Sequence, residues 1–208
     1  MIKPTFIAIA GGSGSGKSTL VDRLVCGRAG SRIAVVAHDA YYLDGTAMPE
    51  ELRASRNWDH PDALDIELVA EHLDALASGL PVDVPEYDFS THSRTDRTRR
   101  VEPRPVVVVE GVLVLAVAEL RARCDLRVYV DTAPEERLAR RVLRDTRERG
   151  RSIESVIAQF RASVRPMHDA LVEPSRAHAH VVVPWDWEHD PTPAVELLEA
   201  FVLHSSGR

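Results

Sequence analysis

Gly11-Gly12-Ser13-Gly14-Ser15-Gly16-Lys17-Ser18 matches the pattern G-x-x-x-x-G-K-[ST], the phosphate-binding P-loop. Its flanks agree with it. Phe6-Ile7-Ala8-Ile9-Ala10 before it is short, apolar and strand-like, and Thr19-Leu20-Val21-Asp22-Arg23-Leu24-Val25 after it has apolar residues at helical spacing. A strand, a glycine loop and a helix start make an anion site, because backbone N–H groups converge there and the helix dipole favours negative charge. Gly11, Gly12, Ser13, Gly14, Ser15, Gly16 and Thr19 are the expected cradle for the phosphates. Lys17 is expected at the β/γ-phosphates and the Ser18 hydroxyl at Mg²⁺. A ligand-free glycine turn is the plain alternative. Composition speaks against it: of 26 Lys plus Arg, lysine stands only at Lys3 and Lys17. Lysine is a compact point charge that the guanidinium fork does not replace.

The remaining composition sets bounds. The 208 residues, 44% hydrophobic and 28% charged, suit one domain with its own core, 1–208. A net charge of −6 argues against a nucleic-acid partner. The longest apolar runs are too short to span a bilayer, so no membrane partner is expected. Met1-Ile2-Lys3-Pro4 leads directly into the first strand, as expected of a cytoplasmic protein without a signal peptide. Cys26 and Cys124 have no metal or redox spacing and are expected to be packing residues.

Strands and helices alternate outward from the loop. Residues 32–37 read as a second strand ending at His38-Asp39, which puts Asp39 at the carboxyl end of a strand, where open α/β sheets bind ligands. An aspartate that merely caps the next element is the competing reading. A short helix is expected at 48–55, and an amphipathic helix at 65–76 carrying a packed or surface His72. Residues 82–91 and 95–101 predict a β-hairpin excursion, spanning 82–101, with Arg94, Arg97, Arg99 and Arg100 mostly on a solvated face. Val106-Val107-Val108-Val109 is a buried parallel strand ending in Glu110, the Walker B position, where Asp is usual. Further strands are expected at 126–131 and 181–183, and helices at 133–149, 152–164 and 192–204. The arginines of 133–149 run into a Glu-Arg-Gly-Arg turn, as in the helical lid of small P-loop kinases, here about 144–153. The predicted fold is therefore a P-loop NTPase-type α/β fold. It has an open parallel sheet with helices on both faces, a β-hairpin excursion and an arginine lid.

Asp39-Ala40-Tyr41-Tyr42, Asn57-Trp58-Asp59-His60-Pro61-Asp62, Tyr87-Asp88-Phe89-Ser90-Thr91-His92, Glu110-Gly111 and Arg140-Arg141-Val142-Leu143-Arg144-Asp145 follow the P-loop in order. Glu148-Arg149-Gly150-Arg151, Gln159 and Val164-Arg165-Pro166-Met167 come next. This set resembles the uridine kinases, also called uridine–cytidine kinases, from about residue 7 to residue 184. The resemblance implies transfer of the ATP γ-phosphoryl group to the 5′-hydroxyl of uridine or cytidine, as in pyrimidine salvage. Asp39 matches the family's base, Asp59 the acceptor of the ribose hydroxyls, and Arg141 and Gln159 the ribose and lid contacts. Tyr41, Tyr87, Phe89 and His92 match the base pocket. Arg144, Arg149 and Arg151 match lid arginines at the triphosphate, and Ser18 and Glu110 the Mg²⁺ site. A homo-oligomer, commonly a tetramer in the family, is also implied. Trp58 and Leu64 depart from common phenylalanines, and Pro184-Trp185-Asp186-Trp187 from a common Pro-Arg-Gly-Gly. The choice between ATP and GTP, the uridine to cytidine ratio, feedback control and the roles of His178 and His180 stay open. A phosphoribulokinase- or pantothenate-kinase-like activity and a non-catalytic nucleotide-binding regulator are the competing functions.

Overall fold

β-branched and small apolar residues dominate five segments, and these pair into one parallel sheet. The computed structural model describes residues 3–46, 49, 57–89, 91 and 93–205. The strands are β1 (Thr5–Gly11), β2 (Ile33–Ala37), β5 (Val106–Glu110), β6 (Leu126–Asp131) and β7 (Val181–Pro184), in the order β2-β5-β1-β6-β7. Pairing is parallel throughout and in register, with Phe6 opposite Val107 and Ile9 opposite both Glu110 and Val128. Successive side chains leave opposite faces of a strand. Phe6, Ala8 and Ala10 therefore join one core with Val107 and Val109, while Ile7 and Ile9 join the other with Val106 and Val108. Both faces are covered, so β5 carries no polar residue until Glu110.

Helix α1 (Lys17–Cys26) and helix α6 (Thr192–His204) lie over the second core through Leu20, Leu24, Leu198 and Val202. Helix α2 (Ile66–Ala77) packs Val69, Leu73 and Leu76 on the first, beside Leu120 of the short α3 (Ala118–Arg121). Asp65 caps α2, accepting from Leu68 N at 3.2 Å. The predicted hairpin forms outside the main sheet from β3 (Val82–Asp88) and β4 (Ser93–Val101), with a bulge between Pro85 and Tyr87. The predicted helix at 48–55, except residue 49, and His92 lie outside the described residues.

Helix α4 (Pro134–Glu148) is followed, after Gly150, by a helical arm that starts as α5 (Ile153–Gln159). The sequence reading ends this arm at 164. In the structure it runs on to His178, widening into π turns at Phe160–Val164 and His168–Val172. Each π turn immediately precedes a segment with a proline, Pro166 and then Pro174. Proline lacks the N–H that a regular helix uses and crowds the preceding turn, so the chain widens there and continues. One expectation is refined and one corrected. Arg97, Arg99 and Arg100 are exposed, as expected of most of the hairpin arginines, while Arg94 is half-buried: its Nε donates to Tyr42 O at 2.8 Å, and its Nη2 to Tyr41 O and Asp65 Oδ2, both at 3.0 Å. Cys26 is exposed and Cys124 is buried, so only the second is a packing residue. Among the described residues, no helix is long and apolar enough to cross a membrane.

Candidate active site

The P-loop lies at the carboxyl end of β1, between β5 and β6, and turns directly into α1. Its shape is set from behind by α4. Gly14 has φ +81°, and a Cβ there would stand 2.4 Å from the Arg137 carbonyl oxygen. A Cβ on Gly12 would meet Arg137 Nη1 at the same distance. Glycine is the residue that tolerates both the left-handed backbone and the close approach. Arg137, an arginine of the predicted helix at 133–149, is 1% exposed behind the loop, with Nε donating to Thr132 O at 3.1 Å.

Lys17 is buried at the mouth of α1 and its Nζ donates to Gly12 O at 3.2 Å. Ser18 Oγ donates to Glu110 Oε1 at 2.7 Å, which joins the loop to the end of β5. Burial pushes the Glu110 carboxyl above its usual range; Lys17 opposes this and Asp39 adds to it. Ser13, Gly14, Gly16, Lys17, Ser18, Thr19, Glu110 and Arg144 line one open cleft, along with Arg23, Arg140 and Trp185. Gly11, Gly12 and Ser15 form the buried back of the loop. The Ser15 carbonyl lies 3.0 Å from Thr132 Oγ1 and accepts from Arg140 Nη1 at 3.4 Å.

A second cavity adjoins the first, lined by Tyr42, Trp58, Asp59, Tyr87, Phe89, Arg149, Arg151 and Gln159. Ser13, Asp39, Val112, Arg141 and Arg144 line both cavities. The wall is aromatic: Tyr42 lies 5.2 Å from Tyr87 and 6.1 Å from Phe89, and Tyr87 lies 5.1 Å from Phe89, ring centre to ring centre. The Arg149 guanidinium sits 4.2 Å above the Phe89 ring. Polar groups face this wall. Asp59 Oδ2 accepts from Ser163 Oγ at 2.7 Å. Arg141 donates to Ser13 Oγ at 2.8 Å and to Gln159 Oε1 at 2.6 Å, and Arg151 donates to the same Gln159 oxygen at 2.5 Å. Burial raises the Asp59 carboxyl above its ordinary range, with the Ser163 hydrogen bond and Arg141 pulling it back. His38, beside Asp39, is fully buried, and burial lowers its pKa to about 4, so it stands neutral near pH 7.

Three expected placements change. Tyr41 points away from the aromatic wall into the core, 0% exposed, with its hydroxyl 2.8 Å from His72 Nδ1. Its neighbour Tyr42 lines the cavity in its place. Both sit at the end of a 3-10 turn (His38–Tyr41), and the phase of that turn decides which ring faces outward. Arg149 and Arg151, expected at the triphosphate, line the aromatic cavity, whereas Arg140, given no role, lines the P-loop cleft. Tyr42, Trp58, Arg140 and Ser163 were missed as site residues. Tyr42 and Trp58 stand inside the motif stretches, and Ser163 follows Gln159 by one helical turn, so spacing could have raised all three.

The model of the phosphoribulokinase/uridine kinase family matches residues 6–190. The chain belongs to this family. It is accordingly an enzyme, a P-loop kinase, and the family implies ATP-dependent phosphoryl transfer. A protein named uridine kinase from Chloroflexus aurantiacus is 48% identical over 181 residues, 87% of each chain. Another of that name from Deinococcus deserti is 45% identical over 199 residues, covering 96% of this chain and 95% of its own. The solved phosphoribulokinase from Rhodobacter spheroides superposes with a TM-score of 0.65 over 91% of this chain and 74% of its own, at 16% identity. That likeness speaks for the shared fold of the family.

Proposed function

We propose that the chain transfers the terminal phosphoryl group of ATP to the 5′-hydroxyl of uridine and cytidine, forming UMP and CMP. One observation carries the reading: Asp39 belongs to the walls of both the phosphate cleft and the aromatic cavity. Donor and acceptor placed in these two spaces meet at a carboxylate. The relatives named uridine kinase support the choice of acceptor.

The P-loop amides and Lys17 hold the β- and γ-phosphates, with Nζ leaving the Gly12 carbonyl for a phosphate oxygen. Ser18 and Glu110 form an all-oxygen pair at the edge of the cleft, the donor type that suits a hard divalent cation. They would hold Mg²⁺, which neutralises charge on the β/γ-phosphates when bound. Asp39 orients the 5′-hydroxyl and accepts its proton as the new O–P bond forms and the bond to ADP breaks. No strong base is needed, because the transition state is loose and the proton leaves late. Arg144, at the junction, and Arg140 balance charge on the transferring group; Arg149 and Arg151 approach it from the acceptor side.

On the acceptor side Tyr42, Tyr87, Phe89 and Trp58 flank the pyrimidine, and Tyr41 only supports Tyr42 from the core. Asp59 accepts from the ribose hydroxyls, beside Arg141 and Gln159. A buried acceptor left unpaired is costly, so ribonucleosides are favoured over deoxyribonucleosides. His92 reads the base edge.

A coupled ADP-release assay tests the reading with uridine, cytidine, ribulose 5-phosphate and pantothenate as acceptors, each with ATP and with GTP. Turnover with the two nucleosides is expected. Turnover only with ribulose 5-phosphate or pantothenate would overturn the acceptor, and no ADP release with any of the four would favour a nucleotide-binding regulator.

A further inference from the structure

Asp59 is held from two sides. Its backbone N–H donates to Asn57 Oδ1 at 3.1 Å, which fixes the loop. Its side chain is tied to a distant helix, since Ser163 Oγ donates to Oδ2 at 2.7 Å across 104 residues of chain. The same hydroxyl is 3.4 Å from Gln159 O, too long to compete. Ser163 stands in the first π turn of the arm, four residues beyond Gln159. Gln159 is the shared acceptor of Arg141 and Arg151. One face of the arm thus grips the lid guanidiniums with one residue and the pocket carboxylate with the next.

We propose that Ser163 is a positioning residue for the acceptor. By occupying Oδ2 it fixes the rotation of the Asp59 carboxylate, leaves Oδ1 for the ribose, and ties ribose recognition to the lid arginines through the arm. The proposal rests on the ribose-reading role given to Asp59 above. A carboxylate torsion is broad and roughly two-fold, so without a bond to one oxygen the group samples orientations that the ribose hydroxyls cannot use. The hydroxyl also helps to keep Asp59 charged. Burial and Asp39 favour its protonated form, while Ser163, Arg141 and Arg151 favour the anion.

Ser163→Ala and Ser163→Thr are compared with the parent enzyme on uridine and 2′-deoxyuridine, with ATP saturating, across a pH series. In Ser163→Ala, kcat/KM for uridine should fall about ten- to 150-fold, the range for loss of one hydrogen bond to a charged group. The uridine to deoxyuridine ratio should shrink, and the KM for ATP should stay unchanged. The acid limb of the uridine profile should move to higher pH, because the anion has lost a donor. Ser163→Thr keeps the hydroxyl and should restore all three quantities. A loss of under twofold in Ser163→Ala, or equal losses on both nucleosides with an unmoved acid limb, would overturn the proposal. Asp59→Ala separates it from the reading beneath. If that variant collapses the ratio while Ser163→Ala does not, only the role of Ser163 fails; if Asp59→Ala leaves the ratio unchanged, both fail.

Discussion

At the residue scale, Asp39 and His38 are neighbours with opposite demands. Asp39 is partly open to both cavities, and its charge is the property that the proposed chemistry uses. Asp39→Asn keeps shape and removes that charge. We expect kcat to fall at least about a hundredfold, the scale of a lost general base, while ATP binding changes little. Steady-state kinetics beside nucleotide titration reads both, and turnover within a few-fold of the parent would refute the assignment. His38 is sealed beneath, against Gly111, with a pKa of about 4 set chiefly by burial and opposed by Asp39. The unfolded chain binds the proton near 6.5 and the folded chain does not until about 4. The stability from keeping His38 neutral is therefore complete above 6.5 and drains away as pH falls toward 4, by about 1.4 kcal/mol per unit. Between pH 7 and 5, urea denaturation should show the parent losing roughly 2 kcal/mol more than His38→Asn. Parallel pH curves would disprove it.

At the element scale, α4 and the turn that follows it pack arginines around one acid. Asp145 is 0% exposed, with Arg144 at 2.9 Å, Arg141 and Arg149 at 3.5 Å and Arg151 at 3.7 Å. Asp59 acts on Arg141 and Asp39 on Arg149 from further off, yet within ion-pair distance one carboxylate faces four guanidiniums, so the group carries an excess of positive charge. Asp145→Asn removes the only acid that is ion-paired to these four arginines among the described residues. Breaking a buried ion pair costs on the order of 3 kcal/mol, which in a chain of this size lowers Tm by roughly 6–12 °C. A bound triphosphate then supplies the missing charge, so ATP should raise the Tm of Asp145→Asn by more than it raises that of the parent. Thermal melts with and without ATP decide it; equal shifts would mean that the lid does not meet the phosphates. The sequence was most readable where local chemistry dictates the element. The P-loop, the strand into Glu110 and the capped α2 are of this kind, because glycine backbone freedom, β-branched runs and an aspartate cap act over a few residues. It was least readable where a phase is set from elsewhere. Arg94 alternates with polar residues like a surface group, yet its partners Tyr41, Tyr42 and Asp65 come from distant segments. The arm past 164 contains Pro166, a stop signal in isolation, and only its π turns let the helix continue.

At the scale of the whole molecule, the sheet brings together groups that are far apart in sequence. β1 delivers the P-loop, β2 delivers Asp39 and β5 delivers Glu110 to the same carboxyl edge, while the hairpin and arm build the aromatic cavity beside it. This convergence was legible, since strand ends in an open α/β sheet must meet there. The sharing of one wall by two cavities was not, because it depends on how β3–β4 and the arm fold over Asp39 and Arg141. That shared wall makes a geometric prediction. A ligand in which adenosine is joined through a short polyphosphate to the 5′-oxygen of uridine would fill both spaces at once. The second half then binds at the effective concentration set by the first, with the span already matched to the linker. Its Kd should be at least about a hundredfold below that of ATP, with no contact that the two separate substrates lack. Calorimetry with ATP, uridine and the joined compound measures this. The same titration on Asp59→Ala should lose most of the gain and leave the affinity for ATP alone intact. A joined compound that binds no tighter than ATP would mean that the cavities are not used together, and the placement of Asp39 between donor and acceptor would fall with it.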